Sequence, residues 1–175
     1  MIKEIINIVF AACCVMMFGM GEMFGTTYEF VNVILFCYVE PILTALMLVA
    51  AAYVLLKGPA YRKVANIFKW FAIIIGTMTF ILLFVSGIYA LNILDLRNLD
   101  SASIDTIINR VYRPDPSPHI HKLYKMTYDW LINNCGNGIG YNALNLIVYV
   151  ISMPTVILSS IYICHKRRKC QPAID

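Results

Sequence analysis

Charged residues are scarce in this sequence, and their scarcity excludes a water-soluble fold. Only 14% of the 175 residues are charged, whereas 60% are hydrophobic, and the mean hydropathy is +0.72. A soluble domain needs about a quarter charged residues to cover its surface. A bilayer removes that requirement because apolar side chains can face lipid. The composition therefore predicts an integral membrane protein with one domain in residues 1–175.

Motifs of catalysis and metal binding are also missing. The sequence contains no nucleophile elbow, phosphate-binding loop or zinc-protease motif. Its six cysteines have neither the spacing of a zinc site nor that of a disulfide framework. We predict no cofactor, no metal and no enzymatic activity. A copper site of thioether ligands is the alternative use of the methionines between Met16 and Met23, which can equally fill an apolar helix.

Four long apolar stretches can each cross a bilayer as a helix, which takes about 20 residues. They cover residues 5–24, 30–56, 70–94 and 141–164. Unbroken apolar runs contradict the alternating polarity of a β-barrel. The predicted fold class is therefore an all-α integral membrane protein with about four transmembrane helices. A cleaved signal peptide is an alternative for the first stretch, and we predict no internal repeat among the four.

Basic residues indicate the orientation, because short loops rich in Lys and Arg stay in the cytoplasm. Such clusters follow the second and fourth stretches: Lys57, Arg62, Lys63 and Lys69, then Lys166, Arg167, Arg168 and Lys169. We therefore predict a membrane protein with both termini in the cytoplasm. The segment 95–140 then lies outside.

The segment 95–140 is predicted to form two short amphipathic helices. Apolar residues recur at helical spacing in two places: Ile104, Ile107, Ile108 and Val111, then Ile120, Leu123, Tyr124 and Leu131. Asp100 and Ser103 are capping candidates for the first helix, which Pro114 ends. These helices are expected to lie on the membrane surface or over the bundle.

Glu40 is the residue that most directly suggests a function. It lies near the middle of the second stretch, where a charge costs at least about 3 kcal/mol. No apolar stretch contains a Lys or Arg to pair with it. Glu40 therefore either lines a polar, ion-conducting path or, protonated, joins helices by hydrogen bonds. Pro41 follows it and can kink the helix, which suits a gate but also occurs in ordinary membrane helices.

Gly21 and Gly25 are four residues apart, with Gly19 nearby, which predicts a site of close helix contact. Other small residues could do likewise: Ala50, Ala51, Ala52, Gly87 and Ala90. The alternative is that Gly25 opens the loop after the first stretch. Because several faces carry small residues, we expect the protein to form homo-oligomers in the bilayer.

The stretch from Arg113 to His121 is the only concentrated polar motif in the sequence. His119 and His121 can face the same way in an extended chain and bind a metal, although no third ligand has a matching spacing. Pro114, Pro116 and Pro118 favour a structural turn instead. The role of this motif stays open at the level of sequence.

The Arg-x5-His spacing of Arg113 and His119 is similar to the divergent HEPN motif of one protein family. With its size, several spans and basic tail, the chain resembles the small membrane accessory proteins of type VI-B RNA-targeting CRISPR systems. The resemblance implies antiviral defence, with an RNA-targeting CRISPR effector as functional partner and pores that depolarise the inner membrane. Because prolines fit poorly on a HEPN helix, we expect pore formation and no direct binding of nucleic acid.

The sequence therefore predicts a multi-pass membrane protein that assembles into a pore or channel. Two alternatives belong to other classes. One is a membrane-anchored enzyme that uses Arg113, Asp115, His119 and His121. The other is a non-catalytic subunit of a larger complex or a holin-like protein.

Overall fold

The computed structural model describes residues 2–57, 62–93, 112–135 and 140–169, and within these ranges every regular element is a helix. Four helical stretches are long and apolar enough to cross a membrane, and we name them the first to fourth spans: Ile2–Phe24, Tyr28–Leu55, Lys63–Asn92 and Tyr141–His165. The prediction of an all-α membrane fold with four spanning helices is confirmed.

The first and third spans are single helices, whereas the second and fourth each combine three segments. The elements in chain order are α1 (Ile2–Phe24), α2 (Tyr28–Asn32), a π-helical segment (Val33–Val39), α3 (Glu40–Lys57), α4 (Arg62–Ile93), α5 (Pro118–Asn134), α6 (Tyr141–Asn145), a second π-helical segment (Leu146–Ser152) and α7 (Met153–Lys169). Helix α1 packs against α4, and α3 packs against both α4 and α7. Two helix pairs, first with third and second with fourth, thus form the bundle.

Gly19 is the point of closest approach between the first and third spans. A Cβ atom at Gly19 would lie only 2.1 Å from the carbonyl oxygen of Ser86 and 2.7 Å from the Cβ of Ala90. Ser86 also donates a hydrogen bond to the carbonyl of Met16 across the same contact, at 2.7 Å. Small side chains let two membrane helices approach this closely, so this pair is held by backbone proximity.

Gly21 and Gly25, which the sequence predicted as helix contacts, instead build the end of α1. Gly25 has a φ of +65°, and the N–H of Thr26 donates to the carbonyl of Gly21 at 2.7 Å. The N–H of Gly25 donates to Glu22 at 3.3 Å, which completes a Schellman motif. Gly25 therefore follows the alternative reading, in which it opens the loop after α1, because glycines four apart occur at helix interfaces and at helix ends alike.

Proline accounts for the π-helical segments in the second and fourth spans. Pro41 and Pro154 each occupy the second position after such a segment. A proline ring displaces the carbonyl one turn earlier, so the helix widens before it. Accordingly, the N–H of Glu40 bonds to the carbonyl of Leu35, and that of Met153 bonds to Val148. Each bond spans five residues, as in a π-helix.

These two spans also share a sequence pattern, so the prediction of no internal repeat is wrong. Tyr, Asn, Ile and Pro recur in the same order and spacing: Tyr28, Asn32, Ile34 and Pro41 in the second span, and Tyr141, Asn145, Ile147 and Pro154 in the fourth. In each copy the asparagine donates a hydrogen bond to the tyrosine hydroxyl at 3.4 Å. The pattern is hard to detect in the sequence because unlike residues fill many of the positions between these four, such as Glu29 against Asn142 and Glu40 against Met153.

Helix α5 is the second of the two predicted amphipathic helices. Ser117 precedes it and Pro118 occupies its first turn, where the missing N–H is not needed. Ile120 and Leu131 are buried, whereas the charged side chains Lys122, Lys125 and Asp129 are exposed. The first predicted amphipathic helix, over residues 104–111, lies outside the described residues.

Candidate polar path between the second and fourth spans

Glu40 lies on the face of the second span that contacts the fourth span. One turn before it, the ring of Phe36 lies 4.5 Å from the ring of Tyr149, centroid to centroid. One turn after it, Thr44 donates a hydrogen bond to the sulfur of Met153 at 3.5 Å. Because residues four apart share one face of a helix, the Glu40 carboxyl group belongs to this interface.

The carboxyl group of Glu40 is incompletely satisfied. Its Oε2 atom is buried, and none of the described residues forms a hydrogen bond with it. Counted from Tyr28 at about 1.5 Å per residue, Glu40 is about 18 Å along the span, near the centre of a hydrocarbon core about 30 Å thick. A buried polar atom without a partner is unfavourable by about 1–3 kcal/mol, so its presence calls for an explanation.

Further polar groups line the second span between its start and Glu40. The amide of Asn32, which is buried, donates to the hydroxyl of Tyr28 at 3.4 Å. The thiol of Cys37 lies 3.4 Å from the hydroxyl of Thr127 on α5. Tyr28 and Asn32 also contact the first span, at Cys14 and Met17, so the polar side chains that lead towards Glu40 lie on more than one face of the second span.

Beside and beyond Thr44, the second span packs into an apolar cluster. Leu43, Met47 and Ala72 are buried there against partly buried residues of the second, third and fourth spans: Val39, Ile75, Ile157 and Ile161. The polar groups described above therefore occupy one half of the membrane and end at Glu40 and Thr44, in front of a closed apolar cluster.

Glu29, in the first turn of the second span, is the centre of a second polar group. It is fully buried, with 0% of its surface exposed. Its carboxylate accepts hydrogen bonds from the hydroxyl of Tyr112 and from the backbone N–H of Asp115, the latter at 2.8 Å. The Nδ1 atom of His121 lies 3.0 Å from both of its oxygens. Three groups beyond the spans thus converge on one carboxylate.

Asp115 reinforces this arrangement from the side of the proline-rich stretch. Its carboxylate accepts a hydrogen bond from Thr27 at 2.5 Å and another from the N–H of Ser117 at 2.8 Å. The hydroxyl of Thr27 in turn caps α2 by accepting from the N–H of Phe30 at 3.1 Å. The stretch before α5 is thereby tied to the loop before the second span.

The hydroxyl of Tyr112 stays protonated because of its surroundings. Burial, together with the hydrogen bond to Glu29 and its negative charge, raises the pKa of Tyr112. A protonated phenol is the donor that the Glu29 carboxylate requires. The pKa of Tyr124, on α5, is raised chiefly by burial.

Tyrosine rings join α5 to the starts of both repeat copies. Tyr124 meets Tyr28 edge-on at a centroid distance of 6.1 Å. One turn further along α5, Tyr128 lies 5.3 Å from the ring of Tyr141. The starts of the second and fourth spans are therefore at the same end of the bundle, beneath α5.

The structure separates the three residues of the Arg113–His121 motif that the sequence singled out. His121 binds Glu29 as described, whereas Nε2 of His119 lies 3.2 Å from the hydroxyl of Tyr38. Arg113 is exposed and lines a cavity of about 300 Å³ with Phe18, Glu22, Gly25, Thr26, Thr27 and Tyr28. Among the described residues, no cluster of three or more His, Cys, Asp or Glu side chains could hold a metal ion.

Glu29 is the functional candidate that sequence reasoning missed. Its position at the boundary of an apolar stretch is typical of a solvated loop residue, so nothing local marks it as buried. The only available signal was that the stretch from Tyr112 to His121 contains several hydrogen-bond donors. When such donors are buried, they need an acceptor from another part of the chain.

Comparisons with known proteins add no family to these observations: no family model, curated protein or solved structure matches the chain.

Proposed function

We propose that this protein conducts protons or small cations across its membrane along the interface of the second and fourth spans. The observation that carries the proposal is the buried, unpartnered Oε2 atom of Glu40 at that interface. A carboxylate near mid-membrane attracts cations and repels anions, as in the acidic rings of cation channels. Its energetic penalty is explained if ions or protons visit it.

The two π-helical segments support this assignment. Interrupted helices that face each other across a repeat interface form the ion sites of many membrane transporters. Here one π-helical segment ends directly before Glu40, and the other contains Tyr149, whose ring contacts Phe36 one turn before Glu40. The apolar cluster beside Thr44 would then block the path in the closed state and would have to open for conduction.

Self-association is part of the proposal, but the small-residue contacts do not supply its interface. Gly19 and Gly87 approach Ser86 and Met16 within one chain, so these positions are already used. The exposed face of the third span, which includes Trp70, Phe80 and Phe84, remains for lipid or for a second copy. Light scattering of the purified protein in detergent measures the number of subunits.

The resemblance to accessory proteins of type VI-B CRISPR systems gives this proposal a biological setting. In that setting the protein acts in antiviral defence at the bacterial inner membrane, with both termini in the cytoplasm. Co-expression with an RNA-targeting effector and its target RNA should then depolarise cells, as a potential-sensitive dye reports. Depolarisation that needs no effector would instead favour a constitutive, holin-like role.

The direct test is ion flux through the purified protein in liposomes, measured with dyes for protons and potassium and with a chloride assay. Glu40→Gln keeps the size and hydrogen bonding of the side chain but removes its charge. We expect the variant to keep its subunit number and to lose its preference for cations over chloride.

Glu22→Gln is the matched control, because Glu22 is an exposed carboxylate near the end of α1. This variant should conduct like the unmodified protein. An unchanged rate and selectivity in Glu40→Gln would show that Glu40 only joins helices, and the proposed path would be wrong.

A further inference from the structure

Helix α5 lies across the end of the interface that leads to Glu40. Through Tyr124 and Tyr128 it contacts the first residues of both broken spans, Tyr28 and Tyr141. Through Thr127 it reaches Cys37, which is three positions before Glu40 in the second span. Helix α1 also contacts the starts of both spans, through Cys14 with Tyr28 and through Asn7 with Asn142.

The contacts that hold α5 in place are concentrated at its beginning. Glu29 binds Tyr112, Asp115 and His121, all of which lie before α5 or in its first turns. Charge-assisted hydrogen bonds of this kind contribute roughly twice as much as neutral ones. Removing any one donor leaves the buried Glu29 carboxylate with fewer partners. Each of the three contacts therefore contributes to holding the beginning of α5 in place.

The remainder of α5 has fewer polar contacts with the spans. Met126, Trp130 and Ile132 are 57%, 52% and 46% exposed. Within its second half only Leu131 is buried, and the contact of Thr127 with the Cys37 thiol, at 3.4 Å, is a weak hydrogen bond. A helix whose strong polar contacts are concentrated at one end can swing away once that end is released.

We infer that Tyr112–Asn134 is a lid over the polar path and that the contacts of Glu29 with Tyr112, Asp115 and His121 are the latch that keeps it closed. This inference rests on the proposed function. It adds a means of regulation, because anything that competes for Glu29 or pulls on the lid would open the path.

Alkylation of Cys37 tests the lid without any measurement of flux. A water-soluble maleimide is applied to the protein in liposomes, and modification of Cys37 is followed by mass spectrometry of its peptide. Tyr112→Phe removes one latch hydroxyl and His121→Ala removes the imidazole. Both should increase the rate of Cys37 modification several-fold, and because both side chains are partly exposed, these variants are expected to fold.

Tyr128→Phe is the matched control, since it lies on the same helix and keeps its ring contacts but is no part of the latch. Its rate should equal that of the unmodified protein. Equal rates in the control and in both latch variants would overturn the inference.

A disulfide between lid and path tests the same inference through ion flux. Thr127→Cys places a second sulfur beside Cys37, where the present atoms are 3.4 Å apart. Oxidation should lower cation flux several-fold, and reduction should restore it. Met126→Cys, at an exposed position of the same helix, should respond to neither treatment.

The two failures are distinguishable. If the unmodified protein conducts but flux ignores a disulfide shown to have formed, the lid is wrong and the proposed function stands. If no form of the protein conducts, the proposed function is wrong, and the inference of a lid over an ion path fails with it. Cys37 modification then tells only whether Glu29 anchors α5.

Discussion

The two helix pairs of this bundle are built on different principles. The first and third spans are uninterrupted, and their backbones meet at Gly19, where a Cβ atom would lie 2.1 Å from a carbonyl oxygen. The second and fourth spans meet through larger side chains, with Phe36 against Tyr149, and both are interrupted by π-helical segments. The first pair has the features of a rigid scaffold, whereas the second pair has the features of a functional site.

The contrast shows where a membrane protein can accommodate a charge. A tight, uninterrupted pair leaves no space for a carboxylate or its hydration. An interrupted pair has wider turns and freed backbone groups that polar side chains, ions or water can satisfy. Glu40 is accordingly found in the second pair, next to Pro41.

The largest expected effect comes from Gly19→Ala, which challenges the scaffold pair directly. The added methyl group cannot fit against the carbonyl of Ser86, so the first and third spans must separate. We expect the free energy of unfolding to fall by about 3 kcal/mol, the upper end for overpacked contacts. Thermal unfolding in detergent, followed by circular dichroism, measures the change.

Gly76→Ala is the control for that prediction, because Gly76 lies on the third span with no atom within 4 Å of its Cβ position. Its stability should change by less than about 0.5 kcal/mol. A comparable loss in both variants would show that the cost comes from the helix itself and not from the contact at Gly19.

A smaller, local effect is expected at equivalent positions of the two broken spans. Glu29 and Asn142 occupy the same place in the two repeat copies, but Glu29 binds three groups, whereas the amide of Asn142 donates to Asn7 at 3.0 Å. Glu29→Ala should lower the free energy of opening α5 by about 2 kcal/mol, and Asn142→Ala should leave α5 almost unchanged.

Hydrogen exchange of the α5 amides measures this opening, since exchange reports local unfolding. Protection of the third span serves as the internal reference and should stay constant in both variants. If Glu29→Ala and Asn142→Ala reduced the protection of α5 equally, the second and fourth spans would anchor α5 equally, contrary to this prediction.

The smallest effect tests whether the shared residues of the second and fourth spans have equivalent structural roles. Asn32 and Asn145 each bond to a tyrosine at 3.4 Å. Asn32→Leu and Asn145→Leu should therefore each cost about 0.6 kcal/mol, the average for such bonds between membrane-buried groups. Thermal unfolding of the two variants side by side compares them, and a difference above about 1 kcal/mol would contradict the equivalence.

Several features could be predicted from sequence because they depend on local composition. Four apolar runs predict four spanning helices, since an apolar run in lipid has to be helical. Pro41 predicts a distortion in the second span, and the apolar spacing of Ile120 and Leu131 predicts α5. The fourth span gave the same signal at Pro154, but only the comparison of the two spans makes the shared pattern evident.

Other features could not be predicted, because they depend on distant partners. Small residues such as Gly19 and Ala90 predict close helix contacts, but only the fold shows that Gly19 meets Ser86 and Ala90 of the third span. His119 and His121 are two positions apart but have different partners, Tyr38 and Glu29. The spacing of residues in one segment carries no information about which side chain of another segment will face them.

The sequence by itself determined that the chain is a membrane protein, which helices cross, and that Glu40 is a costly residue near mid-membrane. These follow from hydrophobicity and length, which act residue by residue. Only the tertiary structure decided that Glu40 faces the fourth span, that the two broken spans pair, and that Glu29 is buried beneath Tyr112 and His121. Such facts arise because burial and hydrogen bonding are properties of what surrounds a side chain, and the fold supplies those surroundings from residues far away in the chain.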